Sequence, residues 1–305
     1  MRNASYMSNL GHAPLRSVPP QGTPAAPPAE CEPRLCDYAE WRAEEYFGTY
    51  YAGAVLPDER RVLAYQLGLL EAQPTPFGRA LEYGCGPTLH RAIAASRYAL
   101  SIDMADRVGC NLAQIRAWLK AGPENTDWNA CTRYLLACEG DHEASARRVE
   151  GREAHTREVI RELRVSDVRS PDPLGGERRG FYDLIVSGFC IEAVSQDPRV
   201  WRECMLNLLS MLCEGGLLIL HALAGCSAYR VAERLYPCAE LGADDLRECL
   251  AANGFVRATI DVAAAPCPEN ARYGYDSVLM ASGRKARRRS RSAAPKRAPA
   301  ELMVP

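Results

Sequence analysis

The stretch RALEYGCGPTLHRAIA, residues 79–94, places two glycines between an apolar run and the start of a helical pattern. Gly84 and Gly86 allow a tight turn at that point, and they let a ligand approach the backbone closely. Leucine stands where the third glycine of a dinucleotide-binding fingerprint belongs, and no phosphate-loop Gly-Lys-Ser/Thr follows. The stretch therefore predicts a loop for a ligand that contains adenosine but no pyrophosphate, with a plain tight turn as the alternative.

Strand and helix patterns alternate on both sides of this loop. The strand candidates are residues 79–83, 98–103, 162–168, 181–189, 217–223, 255–262 and 276–282. The helical patterns are residues 88–97, 109–121, 141–162, 198–213 and 243–253. Gly122 and Pro123 are expected to end the helix before them. This alternation predicts an α/β fold with a mostly parallel seven-stranded sheet, helices on both faces, and a hairpin-like pair of strands at its end.

An acidic residue ends the second predicted strand, YALSID. It is Asp103, 17 residues after Gly86, and an acid at this place can accept hydrogen bonds from both ribose hydroxyls. The alternative is that Asp103 caps the next helix. Together with Glu82 and the fifth-strand sequence EGGLLIL, the glycine loop and Asp103 indicate S-adenosylmethionine as the ligand.

Composition restricts the class of protein. With 305 residues and 47% apolar residues, the chain has enough material for one large buried core. No apolar run reaches the roughly 18 residues that a membrane helix needs, and we predict no signal peptide and no membrane association. The 13 cysteines are scattered and odd in number, which favours reduced thiols in a cytoplasmic protein. Neither cysteine nor histidine spacing indicates a metal site.

Three segments differ in composition. Residues 1–35 are rich in proline and alanine, and we predict that they are disordered. Residues 36–283 are predicted to form the folded domain. Residues 284–305 are predicted to be a disordered basic tail, because residues 284–297 carry eight basic side chains and no acid while the whole chain has a net charge of −1.

Longer motifs resemble one known family. EYGCGPTLH is similar to the acid-x-Gly-x-Gly-Pro-Thr block of the nicotinamide, phenylethanolamine and thioether methyltransferases. CNLAQIRAWLK with the downstream Asp127-Trp128, then VSDV, YDLIVSGFCIEAV and NLLSMLCEGGLLILHAL, follow in that family's order and spacing. The resemblance covers roughly residues 40–283. It implies a Rossmann-like class I methyltransferase fold with an N-terminal helical lid, S-adenosyl-L-methionine as cofactor, and a monomer.

The resemblance also implies a set of cofactor-binding residues. In EYFGTYY, Tyr46 and Tyr51 match two tyrosines of the lid that face the methionine end of the cofactor, with simple helix packing as the alternative. Thr88 is expected to donate a hydrogen bond near the methionine carboxylate. The full set on these grounds is Tyr46, Tyr51, Glu82, Gly84, Gly86, Thr88, His90, Asp103, Asn111, Asp167, Val168 and Cys190.

The adenosine end is assigned in the same way. Asp167 is expected to accept from the exocyclic amine of adenine, and Val168 to donate its backbone N–H to the ring. Asn111 matches an asparagine near the ribose, but that match needs three inserted residues after Asp103.

Two departures from the family concern the acceptor. His90 stands where the nicotinamide-type member has tyrosine, and His221 stands where the family commonly has an aspartate that holds the substrate. Because an imidazole has no fixed negative charge, nicotinamide and catecholamine-like amines become doubtful substrates. We expect Glu192 and His221 to orient the acceptor and take its proton, and Tyr46 to close over the site, as the catalytic set. A solvated acid and a strand-end histidine are the alternatives for Glu192 and His221.

The expected activity is transfer of a methyl group from S-adenosylmethionine to a small-molecule amine-like acceptor, most directly an N-methyltransferase without a metal. The basic tail keeps a methyltransferase of protein or nucleic acid as one alternative. The acidic main body and the lack of an Asn/Asp-Pro-Pro-aromatic motif argue against nucleic acid. A cofactor-binding module without turnover is the other alternative.

Overall fold

The computed structural model of the chain describes residues 34–120 and 126–287. Within them lies a seven-stranded sheet of order β3-β2-β1-β4-β5-β9-β8, in which β9 runs antiparallel to β5 and β8. The five strands β1 to β5 are parallel, so the prediction of a mostly parallel seven-stranded sheet is confirmed. Most of the segments 1–35 and 284–305, and the predicted helix end at Gly122 and Pro123, lie outside the described residues.

The strands alternate with helices along the chain. The strands are β1 Ala80–Tyr83, β2 Ile102–Asp106, β3 Ile160–Val165, β4 Tyr182–Gly188, β5 Leu212–Leu223, β6 Ala228–Val231, β7 Arg234–Pro237, β8 Asp261–Pro266 and β9 Ser277–Arg284. The helices are α1 Ala43–Tyr50, α2 Pro57–Glu71, α3 His90–Ala95, α4 Gly109–Leu119, α5 Asn129–Cys138, α6 Ala146–Val159, α7 Pro198–Ser210 and α8 Ala243–Ala252. In the described part of the chain no helix is long and apolar enough to cross a membrane.

Two buried clusters hold the helices to opposite faces of the sheet. Trp201 of α7 and Leu246 of α8 belong to one, and Leu63 of α2 belongs to the other. The strands alternate between them: Leu218 of β5 packs in the first cluster and Ile219 in the second. Burial on both faces explains the continuous apolar runs of these strands, and it fixes the positions of the strand ends.

The N-terminal lid packs on a hairpin. We define the lid as residues 38–51, which contain the 3-10 turn Tyr38–Glu40 and α1, and the hairpin as the antiparallel pair β6–β7. The Cys36 N–H donates to the Leu235 carbonyl at 2.8 Å, just before the lid. The Tyr50 hydroxyl donates to the Arg230 carbonyl at 2.6 Å. The helical lid that the family resemblance implied is therefore present. Hydrogen bonds to backbone carbonyls of the hairpin hold it in place.

The structure also differs from the sequence-based prediction. The second strand was expected at 98–103, but residues 98–101 form the turn after α3 and β2 continues to Asp106. The predicted strand 255–262 is wrong for most of its length, because a 3-10 turn occupies Arg257–Thr259 and β8 begins at Asp261. The helices α2 and α5 and the hairpin were not predicted.

Candidate active site

A cleft that opens to solvent lies at the carboxyl ends of the strands. Its wall includes Gly84 after β1, Asp106 at the end of β2, Asp167 after β3 and Phe189 after β4. These are the strands on either side of the point where the strand order reverses, which is where open α/β sheets bind ligands. The lid covers the cleft through its aromatic side chains, Tyr38, Trp41, Tyr46 and Tyr50.

The glycine loop has a conformation that other residues adopt only with strain. Gly84 has φ +69°, and a Cβ there would lie 2.0 Å from the Cys190 sulfur. Gly86 has φ +58°, and its N–H donates to Asp106 Oδ2 at 2.8 Å. A side chain at Gly84 would therefore force apart the β1 and β4 loops that form the cleft wall.

The acid at the end of β2 is Asp106, not Asp103. Asp106 Oδ1 accepts from the Val108 N–H at 2.8 Å and from Asn111 Nδ2 at 3.0 Å, and all three residues line the cleft. Burial raises the pKa of the Asp106 carboxyl, against three hydrogen bonds that favour its charge.

The prediction that Asp103 ends the strand and faces a ribose is thus wrong in register. Asp103 lies near the start of β2, away from the cleft, and its Oδ2 accepts from the Tyr182 hydroxyl at 2.8 Å. Asn111 follows Asp106 by five residues and contacts it directly, so no insertion is needed to align it. The Asn111 side chain in turn accepts from the Trp41 indole N–H at 2.8 Å, which joins the lid to this end of the cleft.

The segment after β3 forms the opposite wall. Asp167 and Val168 both line the cleft, as does Ser166 before them. Arg169 holds the Asp167 carboxylate through its Nε and its terminal nitrogen, the latter at 2.6 Å, and this hydrogen bonding lowers the pKa of Asp167. The predicted contact of Asp167 with an adenine amine would share that carboxylate with Arg169.

Four of the other predicted cofactor residues lie on the cleft wall. They are Thr88, Cys190, Tyr46 and Tyr51. The Thr88 hydroxyl donates to the Cys85 carbonyl at 2.6 Å, so in this structure its proton is already engaged. The Tyr51 hydroxyl donates to Glu59 Oε1 at 2.7 Å.

Beneath the lid lies a buried charge network that the sequence did not indicate. The Arg91 guanidinium donates to Glu59 Oε1 at 3.1 Å and Oε2 at 3.3 Å, and it lies over the Phe189 ring, 5.1 Å from the centroid. Burial disfavours the charge of Glu59, but Arg91 and His90 outweigh it and hold the pKa of that carboxyl well below its usual range. Phe189 has φ +54°, a strained value for a bulky residue beside a functional cleft.

Four predicted site residues are buried behind the cleft, among the described residues, rather than on its wall: Glu82, His90, Glu192 and His221. His90 packs between Tyr51 and Trp128, with ring centroids 5.0 and 5.7 Å away. His221 Nδ1 lies 3.5 Å from Arg91 Nε, and burial and then Arg91 lower the pKa of His221 well below its ordinary value. Both effects favour the neutral imidazole.

Glu192 lies behind the end of β5. Its Oε1 accepts the Leu223 N–H at 2.9 Å, and burial raises the pKa of Glu192 to about 7. Leu223 itself lines the cleft, so the carboxyl contacts the wall from behind. The catalytic roles given to Glu192 and His221 stay predictions.

Glu82 provides a test of pH dependence. Neither of its carboxyl oxygens accepts a hydrogen bond within the described part of the chain, and burial raises the pKa of Glu82 to about 8. Between the ordinary glutamate pKa and about 8, the folded state keeps a proton that the unfolded state releases. The free energy of unfolding therefore falls as pH rises through that window, by about 1.4 kcal/mol per pH unit for this group.

We expect Glu82→Gln to match the wild type at pH 5 and to be more stable than it at pH 8, by about 2 kcal/mol or more. The measurement is urea unfolding of both proteins at the two pH values. Equal stability at pH 8 would show that Glu82 ionises normally in the folded protein.

The wall residues fit an adenosine-containing sulfonium ligand. The Asp106 carboxylate could accept from ribose hydroxyls, the Gly84–Gly86 turn leaves room for close approach, and the aromatic lid would shield a charged centre from water. The described residues contain no group of three or more histidine, cysteine or acidic side chains arranged to hold a metal ion.

Sequence reasoning missed several wall residues, among them Asp58, Glu59, Arg91 and Asp106. Two signals were present. Asp58 and Glu59 directly follow Pro57, the residue order that starts a helix. The second signal was the five-residue spacing from Asp106 to Asn111, which identifies Asp106 as the acid that contacts Asn111. Nothing in the sequence points to Arg91.

The chain is similar to several known proteins. Residues 36–286 match the model of the NNMT/PNMT/TEMT family. The phenylethanolamine N-methyltransferase of Sus scrofa is 29% identical over 205 residues, which cover 66% of this chain and 70% of that protein. The nicotinamide N-methyltransferase of Homo sapiens is 27% identical over 177 residues, covering 57% of this chain and 65% of that protein. Among solved structures, the 1,6-didemethyltoxoflavin-N1-methyltransferase of Burkholderia thailandensis, with S-adenosylhomocysteine, aligns at TM-score 0.48 and 17% identity, covering 84% of this chain and 94% of that one.

Proposed function

The chain belongs to the NNMT/PNMT/TEMT family, and from that premise we propose how its cleft transfers a methyl group. The protein is an S-adenosylmethionine-dependent methyltransferase whose acceptor is the nitrogen of a small-molecule amine. The observation that supports this best is the convergence of the β1, β2, β3 and β4 loops on one cleft under an aromatic lid. A cleft covered in this way favours a small acceptor over a protein or nucleic acid.

S-adenosylmethionine, when bound, supplies a methyl group that is already activated on a sulfonium sulfur. The protein therefore has to align the acceptor nitrogen with that methyl, and such positioning can lower the barrier by about 7–11 kcal/mol. We assign the ribose to Asp106, the close backbone approach to Gly84 and Gly86, and the adenine to the segment 166–168. Tyr46 and Tyr51 close the cleft and keep water away from the reacting atoms.

For Glu192 and His221 we propose positioning roles. Glu192 accepts the N–H of Leu223 and thereby fixes a wall residue at the end of β5. His221, as a neutral imidazole, offers Nδ1 to Arg91 and helps to orient that guanidinium toward Glu59. Contact of either side chain with the acceptor itself is not required in this arrangement.

The decisive experiment is a transfer assay with labelled S-adenosylmethionine and the purified full chain. Phenylethanolamine, nicotinamide and a broad extract of small metabolites serve as acceptors, and products are resolved by mass. We expect a low-mass amine that has gained one methyl group. Label found only on macromolecules would contradict the proposal, as would tight cofactor binding with no labelled product.

A further inference from the structure

The cleft wall carries an excess of negative charge. Within the described residues, its charged side chains are the carboxylates Asp58, Glu59, Asp106 and Asp167 and the guanidiniums Arg91 and Arg107. Arg91 pairs with Glu59 at 3.1 Å, and Arg107 lies 3.4 Å from Asp167. Two carboxylates therefore remain without a cation. One of them, Asp106, already accepts three N–H donors.

The other carboxylate, Asp58, has far fewer partners. It is 1% exposed, in the first turn of α2, and its Oδ2 accepts from the Tyr275 hydroxyl at 3.0 Å. Its Oδ1 has no hydrogen-bond partner among the residues that the structure describes. The neighbouring Asn270 amide donates to the Tyr275 hydroxyl at 3.1 Å, and it lies close enough to Asp58 to favour the charged carboxylate. A buried carboxylate oxygen without a donor costs free energy unless a ligand completes it.

Three tyrosines share the cleft with this carboxylate. Tyr50, Tyr229 and Tyr275 line the cleft with it. The Tyr50 hydroxyl donates to the Arg230 carbonyl, and the Tyr229 hydroxyl pairs with that of Tyr38 at 3.0 Å. Because the Tyr50 and Tyr229 hydroxyls are engaged elsewhere, these two tyrosines contribute only their rings to the cleft. Aromatic rings beside a carboxylate form a site suited to an organic cation.

We propose that Asp58 binds the acceptor as an ammonium ion, so that the substrates of this enzyme are amines that are protonated at neutral pH rather than neutral heteroaromatic nitrogens. This inference rests on the proposed function and deepens it. Asp58 would replace, from the first turn of a helix, the strand-end aspartate whose place His221 takes.

The proposal also gives the proton a destination. The ammonium must lose one proton before the nitrogen lone pair can form the new N–C bond, while the S–C bond breaks and its electron pair goes to sulfur. Asp58 Oδ1 is free to accept that proton. Burial, and then the neighbouring Glu59 charge, raise the pKa of Asp58, the direction that a proton acceptor needs.

The test uses the full chain saturated with S-adenosylhomocysteine and measures binding by calorimetry. The probes are phenylethanolamine, which is cationic, phenylethanediol, which has a neutral hydroxyl in place of the amine, and nicotinamide, which is neutral. We expect phenylethanolamine to bind at least about tenfold more tightly than either neutral probe. Asp58→Asn should remove this preference and leave S-adenosylhomocysteine affinity unchanged.

Two further variants sharpen the result. Asp276→Asn removes the same charge from an exposed aspartate next to Tyr275 and should leave all affinities unchanged. Tyr275→Phe keeps the Asp58 carboxylate but removes the hydroxyl that donates to it. This variant should alter the preference for the amine over the neutral probes and leave the affinity for S-adenosylhomocysteine unchanged. It tests the site even if Asp58→Asn does not fold.

Failure of phenylethanolamine to bind the wild type, equal binding of the charged and neutral probes, or a preference that survives in Asp58→Asn would overturn the inference. Because binding is measured without turnover, these outcomes are separate from a failure of methyl transfer in the labelled assay.

Discussion

Replacing Asp106 by alanine is expected to weaken S-adenosylhomocysteine binding about 100-fold or more. Hydrogen bonds to a charged group contribute about 1.5–3 kcal/mol each, and each 1.4 kcal/mol is a factor of ten in affinity. Asp106 would accept from ribose hydroxyls, and it also holds the Gly86 N–H at 2.8 Å and the Asn111 amide at 3.0 Å. Its loss therefore removes ligand contacts and loosens the loop at the same time. Calorimetry on the two purified proteins gives the ratio of dissociation constants.

Asp103→Asn is the matched control, because it changes an acid of the same strand that faces Tyr182 instead of the cleft. We expect it to leave the affinity within about twofold, since mutations distant from a site usually act independently of it. The reverse outcome, in which Asp103 matters and Asp106 does not, would restore the register first read from the sequence.

The second large effect concerns the stability of the fold. Arg91→Met is expected to lower the free energy of unfolding by about 3–5 kcal/mol, because it leaves the Glu59 carboxylate buried without its guanidinium. Both side chains are buried, with 4% of each exposed, so solvent does not screen the unpaired charge that results. Denaturation of the variant and the wild type at neutral pH measures the difference.

The double variant Glu59→Gln/Arg91→Met is the control for this reading. With the carboxylate also removed, we expect it to recover most of the loss, because replacing a whole buried pair is often close to neutral. An Arg91→Met protein within about 1 kcal/mol of the wild type, or a double variant less stable than the single one, would show that the pair is not the source of the effect.

The sheet could be predicted from sequence because its strands are short apolar runs separated by helix patterns. Burial on both faces dictates that signal, as Leu218 and Ile219 of β5 illustrate by packing in opposite clusters. The ends of the strands were harder to predict from sequence. The sequence 98–106 contains two acids, Asp103 and Asp106, and only pairing with β1 and β3 decides which of them stands at the carboxyl edge.

The candidate site was predictable where it depends on backbone, and not where it depends on packing between distant segments. Gly84 and Gly86 were recognised because their conformational freedom is visible in the residue type. The Glu59–Arg91 pair was not, because nothing local in either helix shows that two charges 32 residues apart meet under the lid. Ion pairs of this kind depend on tertiary packing, and no periodicity of the sequence predicts them.

The hydrogen bond between Asp58 and Tyr275 joins residues 217 positions apart in the chain. During synthesis Tyr275 leaves the ribosome 217 residues after Asp58, and the strand β9 follows it. Until β9 inserts beside β5, part of the apolar surface around the lid tyrosines, Asp58 and the preceding strands stays uncovered. Long-range closure of this kind slows folding and prolongs exposure to aggregation. Completion of the cleft therefore depends on a segment that is synthesised long after the helix that carries Asp58.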